Sequence, residues 1–383
     1  MMNGAGAPQE SGQERNERMR RIRNGLWLLI LFAAGTAAGL AERLLVTTDL
    51  HLTSGTEPEE QVLRAIALQV QDCDGVLFLG DEANSGHLEE HRRFAQFLRT
   101  LDKPVYVLPG NHDYSREMDT EGFLRMFAPW STDVAFSRDL SSASYAARTG
   151  EGTILLMLDT NAYQYETVTR GRISEDLLEW LRELLPKLKG QKVVCCGHHP
   201  LLGASGGTDR TQNADALADL LREAGISLYL SGHRHNNYAV EEEGLLQICV
   251  GTPGGYPAWM GEVDTGEETY RVRPLYAEGS REAEQMLGDT KEMAWRMGRS
   301  ALEGTSGEGD EAAIAWFAEA FMTYLEGAAG EKGEQLLRHP AAQVWREARV
   351  RSVVRDWILG VLSQPGPDVR RVQLQLCATG AAR

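Results

Sequence analysis

Five short aliphatic runs in this chain each end on side chains able to bind a metal ion or a phosphate, and this recurrence restricts the fold most. RLLVTTDLH delivers Asp49 and His51, GVLFLGD delivers Asp81, PVYVLPGNHD delivers Asn111 and His112, VVCCGHH delivers His198, and ISLYLSGHRH delivers His233 and His235. Runs so continuously apolar suit strands covered on both faces, as in a parallel sheet between helical layers. Ligands of open α/β sheets collect beyond the carboxyl ends of the strands, so the five endings should converge on one place. Amphipathic stretches such as EDLLEWLRELLPKL, Glu175 to Leu188, supply the covering helices.

The stretch VVCCGHHPLL places two cysteines and two histidines within five residues, which suggests a self-contained zinc site. Strand geometry argues otherwise. Neighbouring side chains on a strand face opposite ways, and structural zinc sites space their cysteines by two to four residues. Cys195 and Cys196 are therefore expected on opposite walls of a buried strand. Gly197 and Pro200 turn the chain out of the sheet. The five cysteines, at positions 73, 195, 196, 249 and 377, show no repeated spacing and imply no disulfide framework.

Taken alone, Asp49-Leu50-His51 and Gly80-Asp81 are weak signals. GNHD, Gly110 to Asp113, and GHRH, Gly232 to His235, say more, because tight turns presenting several donor groups have few structural reasons to exist. The ordered set D-x-H, GD, GNHD, GHHP and GHRH resembles the calcineurin-like metallophosphoesterase family, over about Arg43 to Tyr276. The resemblance implies an α/β fold, a β-sandwich flanked by helices, with a binuclear metal centre. Carried over to this chain, it gives Asp49, His51, Asp81 and His235 to one ion and Asp81, Asn111, His198 and His233 to the other. Asp81 bridges the two.

Two divalent ions outweigh the charge of two carboxylates and a bridging hydroxide, so such a site stays positive inside a protein of net charge −16. It can draw in a phosphate ester and present hydroxide for in-line attack. His112, next in the chain to the ligand Asn111, suits the role of proton donor to the leaving oxygen. Asn84 stands where many relatives carry an aspartate that orients this histidine, and its amide oxygen is the expected holder of the ring. The tyrosine of purple acid phosphatases is missing at the same position, which leaves manganese, zinc or ferrous iron as the metals. Mixed nitrogen and oxygen donors do not choose among them.

His199, Asp159 and Asn161 are the candidate substrate contacts. Arg170 and Arg172, in TRGRIS, read as part of a helix-capping loop, and His87 and His91 as a solvated pair on a helix surface.

The segment GRISEDLLEWLRELL followed by GHHP looks like the bacterial cyclic-nucleotide phosphodiesterase (class III) branch of the family, some members of which carry a C-terminal helical domain. The implied activity is hydrolysis of a cyclic nucleotide or a similar small phosphodiester. One alternative is an envelope phosphomonoesterase acting on nucleotide or lipid phosphates. Another is a non-catalytic scaffold of the same fold, whose mark would be missing ligands; none is missing here.

With 383 residues and 42% hydrophobic content the chain can bury more than one core, and its composition divides it into four segments. Residues 1–24 are basic, with Arg15, Arg18, Arg20, Arg21 and Arg23. Residues 25–41 carry the apolar run LWLLILFAAGTAAGLA, a signal peptide or a transmembrane anchor. This pattern places the catalytic part outside the cytoplasm, anchored or secreted, in a bacterial cell envelope. Residues 42–276 form the phosphoesterase domain and 277–383 a helical one. In the latter, Ile314, Phe317, Phe321 and Leu325 recur at helical spacing, as do Val350, Val353, Trp357 and Val361.

The expectation there is a three- or four-helix bundle. Its aromatic residues and Met286, Met293 and Met297 should lie in the core, with Pro340 opening the last long helix and VQLQL, Val372 to Leu376, forming a short strand. The bundle could cover the site, dimerise or dock a partner. The acidic balance leaves no evident nucleic-acid surface, and the expected partners are a small phosphoester and, if the leader is retained, the membrane.

Overall fold

Alternation of side chains along each run decides where the layers lie. In the computed structural model, which describes residues 41–53, 55–161, 170–203, 211–348 and 352–377, the first run forms β1 (Arg43–Thr47). It is parallel to β2 (Gly75–Phe78), which is parallel to β3 (Val105–Val107). Leu44 and Val46 face a core shared with a second sheet. Leu45, with Val76 and Phe78, faces the other way into a core that includes Ile66 of α1 (Glu57–Gln71) and Phe94 of α2 (Leu88–Leu98). Both faces are covered, so consecutive positions are apolar. α3 (Thr120–Phe127) completes this outer layer through Phe123 and Phe127.

The second sheet comprises β4 (Ala135–Arg138), β5 (Tyr145–Arg148), β6 (Ile154–Leu158), β7 (Val193–Gly197), β8 (Leu228–Ser231), β9 (Tyr238–Glu242) and β10 (Leu245–Cys249). Its order is β4-β5-β6-β7-β8-β10-β9, with β6, β7, β8 and β10 parallel. Cys195 packs outward with residues of α4 (Glu175–Leu184) and α5 (Ala214–Glu223), and Cys196 inward between the sheets. The two thiols do line opposite walls. Ser174 caps α4, its Oγ accepting the Leu177 N–H at 3.1 Å, as the capping-loop reading of TRGRIS requires.

β11 (Trp259–Asp264), β12 (Thr269–Pro274) and β13 (Arg371–Gln373) complete the first sheet, in the order β13-β12-β11-β1-β2-β3. Between β12 and β13 the chain forms α6 (Arg281–Leu302), α7 (Glu311–Leu325), α8 (Ala329–Arg338), α9 (Pro340–Glu347) and α10 (Ser352–Ser363). The anticipated last long helix is thus two, the first opened by Pro340. α7 is buried nearly all round, with Trp316 and Tyr324 as well as the expected Ile314, Phe317, Phe321 and Leu325, because it is the central helix of the group.

Met293 and Met297 are exposed, contrary to expectation. α6 turns Thr290, Ala294, Gly298 and Leu302 inward instead, and the lack of a side chain at Gly298 lets Phe317 approach. Val350 and the side chain of Val353 lie outside the described residues.

Leu40–Arg383 forms one compact unit. The helical group is tied to the sandwich at both ends: it leaves from β12 and returns through a tail that bonds to both sheets. Ala239 N–H donates to Pro367 O at 3.0 Å and Val193 N–H to Leu376 O at 2.8 Å, while Tyr270 pairs with Val372. Leu374 and Leu376 are buried in the inner core. The basic segment and the apolar run up to residue 40 lie outside the described residues, among which no helix is long and apolar enough to cross a membrane.

Candidate metal centre

The donor residues sit just past the ends of the parallel strands, and five of them share an uncommon backbone. Asp49, His51, Asp81, His233 and His235 have φ of 56°, 48°, 56°, 71° and 57°, in the left-handed region that non-glycine residues rarely adopt. Such conformations persist only where the surroundings enforce them. Gly80 and Gly110 provide the tight fit that does so, since a Cβ on Gly80 would lie 2.3 Å from Gly110 N and one on Gly110 would lie 2.2 Å from Asp81 Oδ1.

Asp49, Asp81 and His198 are each oriented by a bond behind the donor atom. Asp49 Oδ2 accepts from Thr48 Oγ1 at 2.8 Å and from His233 N at 2.9 Å, which leaves Oδ1 3.2 Å from His235 Nε2. Asp81 Oδ1 accepts from His112 N at 2.7 Å, and its Oδ2 lies 3.1 Å from His198 Nε2 and 4.0 Å from His51 Nε2. His198 Nδ1–H donates to Leu79 O at 2.9 Å, so its Nε2 faces the site. His51 Nε2 and His235 Nε2 are 3.1 Å apart.

Four overlapping donor groups result among the described residues, one of which sets His112 beside His51 and Asp81. Asp49, His51 and His235 form one and His198, His199 and His233 another, with donor atoms in each within 4.8 Å of one another; Asp49, Asp81 and His198 meet the same limit and join them. The sites fit a pair of divalent ions on a point of this structure: Asp49 Oδ1, Asn111 Oδ1 and His198 Nε2 are buried polar atoms without a hydrogen-bond partner. Buried groups of this kind are normally satisfied, and two ions would satisfy them, one at Asp49 and one at Asn111 and His198.

Electrostatics agree. Burial opposes ionisation of Asp81, but His198, then His51 and His112, outweigh it and hold the carboxyl well below the usual range. Asp49 likewise overcomes burial through His235 and His198 and falls to about 2. Burial disfavours charge on His198, yet Asp81 and Asp49 raise it to about 9. His51 goes the other way, to about 4, under burial and the neighbouring His235. Metal binding requires neutral imidazoles, so His198 would hold an ion only in its deprotonated form.

Behind this layer sits Asp113, which accepts from Asp81 N at 2.8 Å, Ala83 N at 2.9 Å and Gly110 N at 2.8 Å. Burial and the charge of Asp81 lift it to about 7. Burial, then Asp113, Asp49 and Asp81, raise the Glu82 carboxyl well above its ordinary value. Sequence reasoning missed the supporting roles of Asp113 and Thr48, although the first closes the GNHD motif and Thr48 immediately precedes Asp49.

His112 is exposed at the edge, its ring 4.7 Å from that of His51. Its Nδ1–H donates to the main-chain carbonyl of Asn84 at 2.6 Å. The Asn84 side chain is not the holder, because its Nδ2 donates to Ser85 Oγ at 3.1 Å. His199 is buried, with Nδ1 2.7 Å from Thr160 Oγ1 and its ring 4.7 Å from His233. Asp159 and Asn161 serve as internal braces. Asp159 accepts from Tyr114 Oη at 2.8 Å and Ala143 N at 3.2 Å, and Asn161 Nδ2 donates to Pro109 O at 3.0 Å. Of the pair expected on a helix surface, His87 is exposed but His91 is fully buried, with Nε2 2.9 Å from Asp113 O.

A two-sheet α/β sandwich with carboxylates and imidazoles gathered at its strand ends defines a metal-dependent hydrolase of phosphate esters. A family model for calcineurin-like phosphoesterases matches residues 42–237, and the chain belongs to that family, whose members depend on two metal ions. Among curated relatives, the 3',5'-cyclic adenosine monophosphate phosphodiesterase CpdA of Haemophilus influenzae is 26% identical over 257 residues, 62% of this chain and 87% of that one. The CpdA of Escherichia coli is 26% identical over 284 residues, 69% and 95% of the two chains. Human tartrate-resistant acid phosphatase type 5 is 25% identical over 208 residues, 49% and 63%.

Proposed function

We propose that this protein is a phosphodiesterase acting on a small diester of the cyclic-nucleotide class. The observation that carries the reading is the pair of donor clusters joined through Asp81, with His112 at their open edge. Asp49, His51, Asp81 and His235 would hold one ion and Asp81, Asn111, His198 and His233 the other. Two divalent ions bound there supply Lewis acidity to the phosphoryl oxygens and lower the pKa of water.

The chain's own residues do the rest. Asp81 holds the two clusters in register and, through the His112 N–H, fixes the turn that carries the acid. With Nδ1–H committed to the Asn84 carbonyl, Nε2 is the ring nitrogen of His112 left for the substrate, and in its protonated form this atom would give a proton to the departing oxygen. A sugar alkoxide, the leaving group of a cyclic nucleotide, needs that proton, whereas p-nitrophenolate does not. Two curated relatives, matched over most of their length, are named as cyclic AMP phosphodiesterases, which supports the substrate class.

The test is a substrate panel with Mn²⁺, Zn²⁺ or Fe²⁺: cyclic AMP, bis-p-nitrophenyl phosphate and p-nitrophenyl phosphate. Cleavage of the first two faster than the third is expected. Cleavage of the monoester alone would replace this reading with the phosphomonoesterase one, and uptake of no metal would remove both.

A further inference from the structure

Two loops that carry or brace the donors are themselves held by the helices that follow β12. The segment Gly232 to His235 brings His233 and His235 to the centre, both in left-handed backbone conformations. Between them, the carbonyl of Arg234 accepts a hydrogen bond from Tyr324 Oη, and Tyr324 is a buried residue of α7. The second loop follows β10. Its Thr252 Oγ1–H donates to the main-chain carbonyl of Asp49 at 2.7 Å, and a Cβ on its Gly254 would lie 3.0 Å from Leu50 O. That loop is held in turn from α6, because Tyr256 N–H donates to Thr290 Oγ1 at 3.1 Å and Thr290 is buried.

The returning tail adds a third hold: Asn237, two residues after His235, donates to Val369 O and accepts from Tyr270 Oη at 2.7 Å.

We infer that the C-terminal helices are a working part of the metal centre, in which Tyr324 positions His233 and His235 and Thr290 positions Asp49. This rests on the two-ion reading above. Left-handed backbone at a histidine is held only by its surroundings, so a donor on the carbonyl between two such residues restrains both rings. Groups that orient ligands from behind tune metal affinity, and one acting on the backbone between two ligands should do so more weakly than one bonded to the ligand itself. The helices therefore act on the site through two buried side chains, with no need to reach the substrate.

The experiment uses the full chain, stripped with chelator and titrated with Mn²⁺ by calorimetry, with thermal unfolding of the metal-free protein measured in parallel. Tyr324→Phe should weaken binding of at least one ion by roughly three- to tenfold, the effect of one hydrogen bond. Its metal-free melting temperature should fall by only about 2 °C. Activity should return to near the parent level at saturating Mn²⁺. Thr290→Val should show the same pattern more weakly.

Trp345→Phe is the control, since it removes a bond inside the helical group, Trp345 Nε1–H to Ala313 O at 2.9 Å. It should lower the melting temperature and leave Mn²⁺ affinity unchanged. Equal affinity in Tyr324→Phe and the parent overturns the inference while leaving the two-ion reading intact, and so does equal weakening in Trp345→Phe. A parent that takes up no Mn²⁺ overturns the two-ion reading and this inference with it.

Discussion

His112 Nδ1 and the carbonyl oxygen of Asn84 are 2.6 Å apart, so the tautomer of the exposed histidine is set by main chain. The usual way to fix such a ring is a carboxylate, which also stabilises the imidazolium. A carbonyl fixes the tautomer with less charge, and any residue that keeps the local backbone can provide it. Asn84→Ala should therefore retain turnover within about threefold, far short of the 10²–10⁴-fold that His112→Ala should lose as a general acid. The His112→Ala deficit should shrink with p-nitrophenolate as leaving group, which departs without a proton. Steady-state rates on cyclic AMP and on bis-p-nitrophenyl phosphate test both points.

Asp81 uses its two oxygens for different partners: Oδ1 takes the His112 N–H and Oδ2 faces His198. An amide cannot supply two negative oxygens. Asp81→Asn should lose metal to well under one ion per chain and activity by about a hundredfold or more, exceeding the usual effect of losing an outer-shell group. Mass spectrometry of bound metal after desalting gives the answer; two retained ions would exclude a bridging role for this carboxylate.

How far the sequence announced this arrangement depends on how local the cause was. The strand ends were readable because continuous apolar runs and glycine turns are local signals, and they put the seven assigned metal donors at the carboxyl ends of the strands. The left-handed backbone of His233 and His235 was not, because long-range contacts enforce it. Nor could the Asn84 carbonyl be read, since a main-chain acceptor has no residue code. The burial of His91 had a signal that was passed over: it shares a helical stripe with Phe94, Ala95 and Leu98, all buried on α2. The methionines of α6 misled because chemistry suggested core where small residues actually make the close contact. The tail crossing to both sheets depends on pairing with residues about a hundred positions or more away, beyond any periodicity argument.

Gly110 has an ordinary extended φ of −102°, so its requirement is one of space. A methyl group there would lie 2.2 Å from Asp81 Oδ1 and 2.4 Å from Asp81 N. Gly110→Ala must push the carboxylate or the whole turn aside, and overpacking of this kind destabilises by about 1–3 kcal/mol. Loss of metal and activity should accompany a lowered melting temperature. Gly150→Ala, where nothing stands within 4 Å of the added methyl, should change none of these.

His91 makes the fold sensitive to acid. Burial beside Phe123 and Phe127 pushes its pKa down to about 4, against the smaller opposing effect of the hydrogen bond to Asp113 O. The unfolded chain should titrate this ring near its ordinary value of 6.5. Between those values the unfolded state binds the extra proton, so the contribution to stability is complete above pH 6.5 and is lost as pH falls towards 4. From pH 7.5 to pH 5 the loss amounts to about 2 kcal/mol. Phenylalanine fits the same aromatic surroundings and does not titrate. His91→Phe should be less stable at neutral pH, for want of a donor to Asp113 O, yet its urea midpoint should fall less than the parent's between pH 7.5 and 5. Parallel pH profiles for the two proteins would show that His91 is not the group responsible.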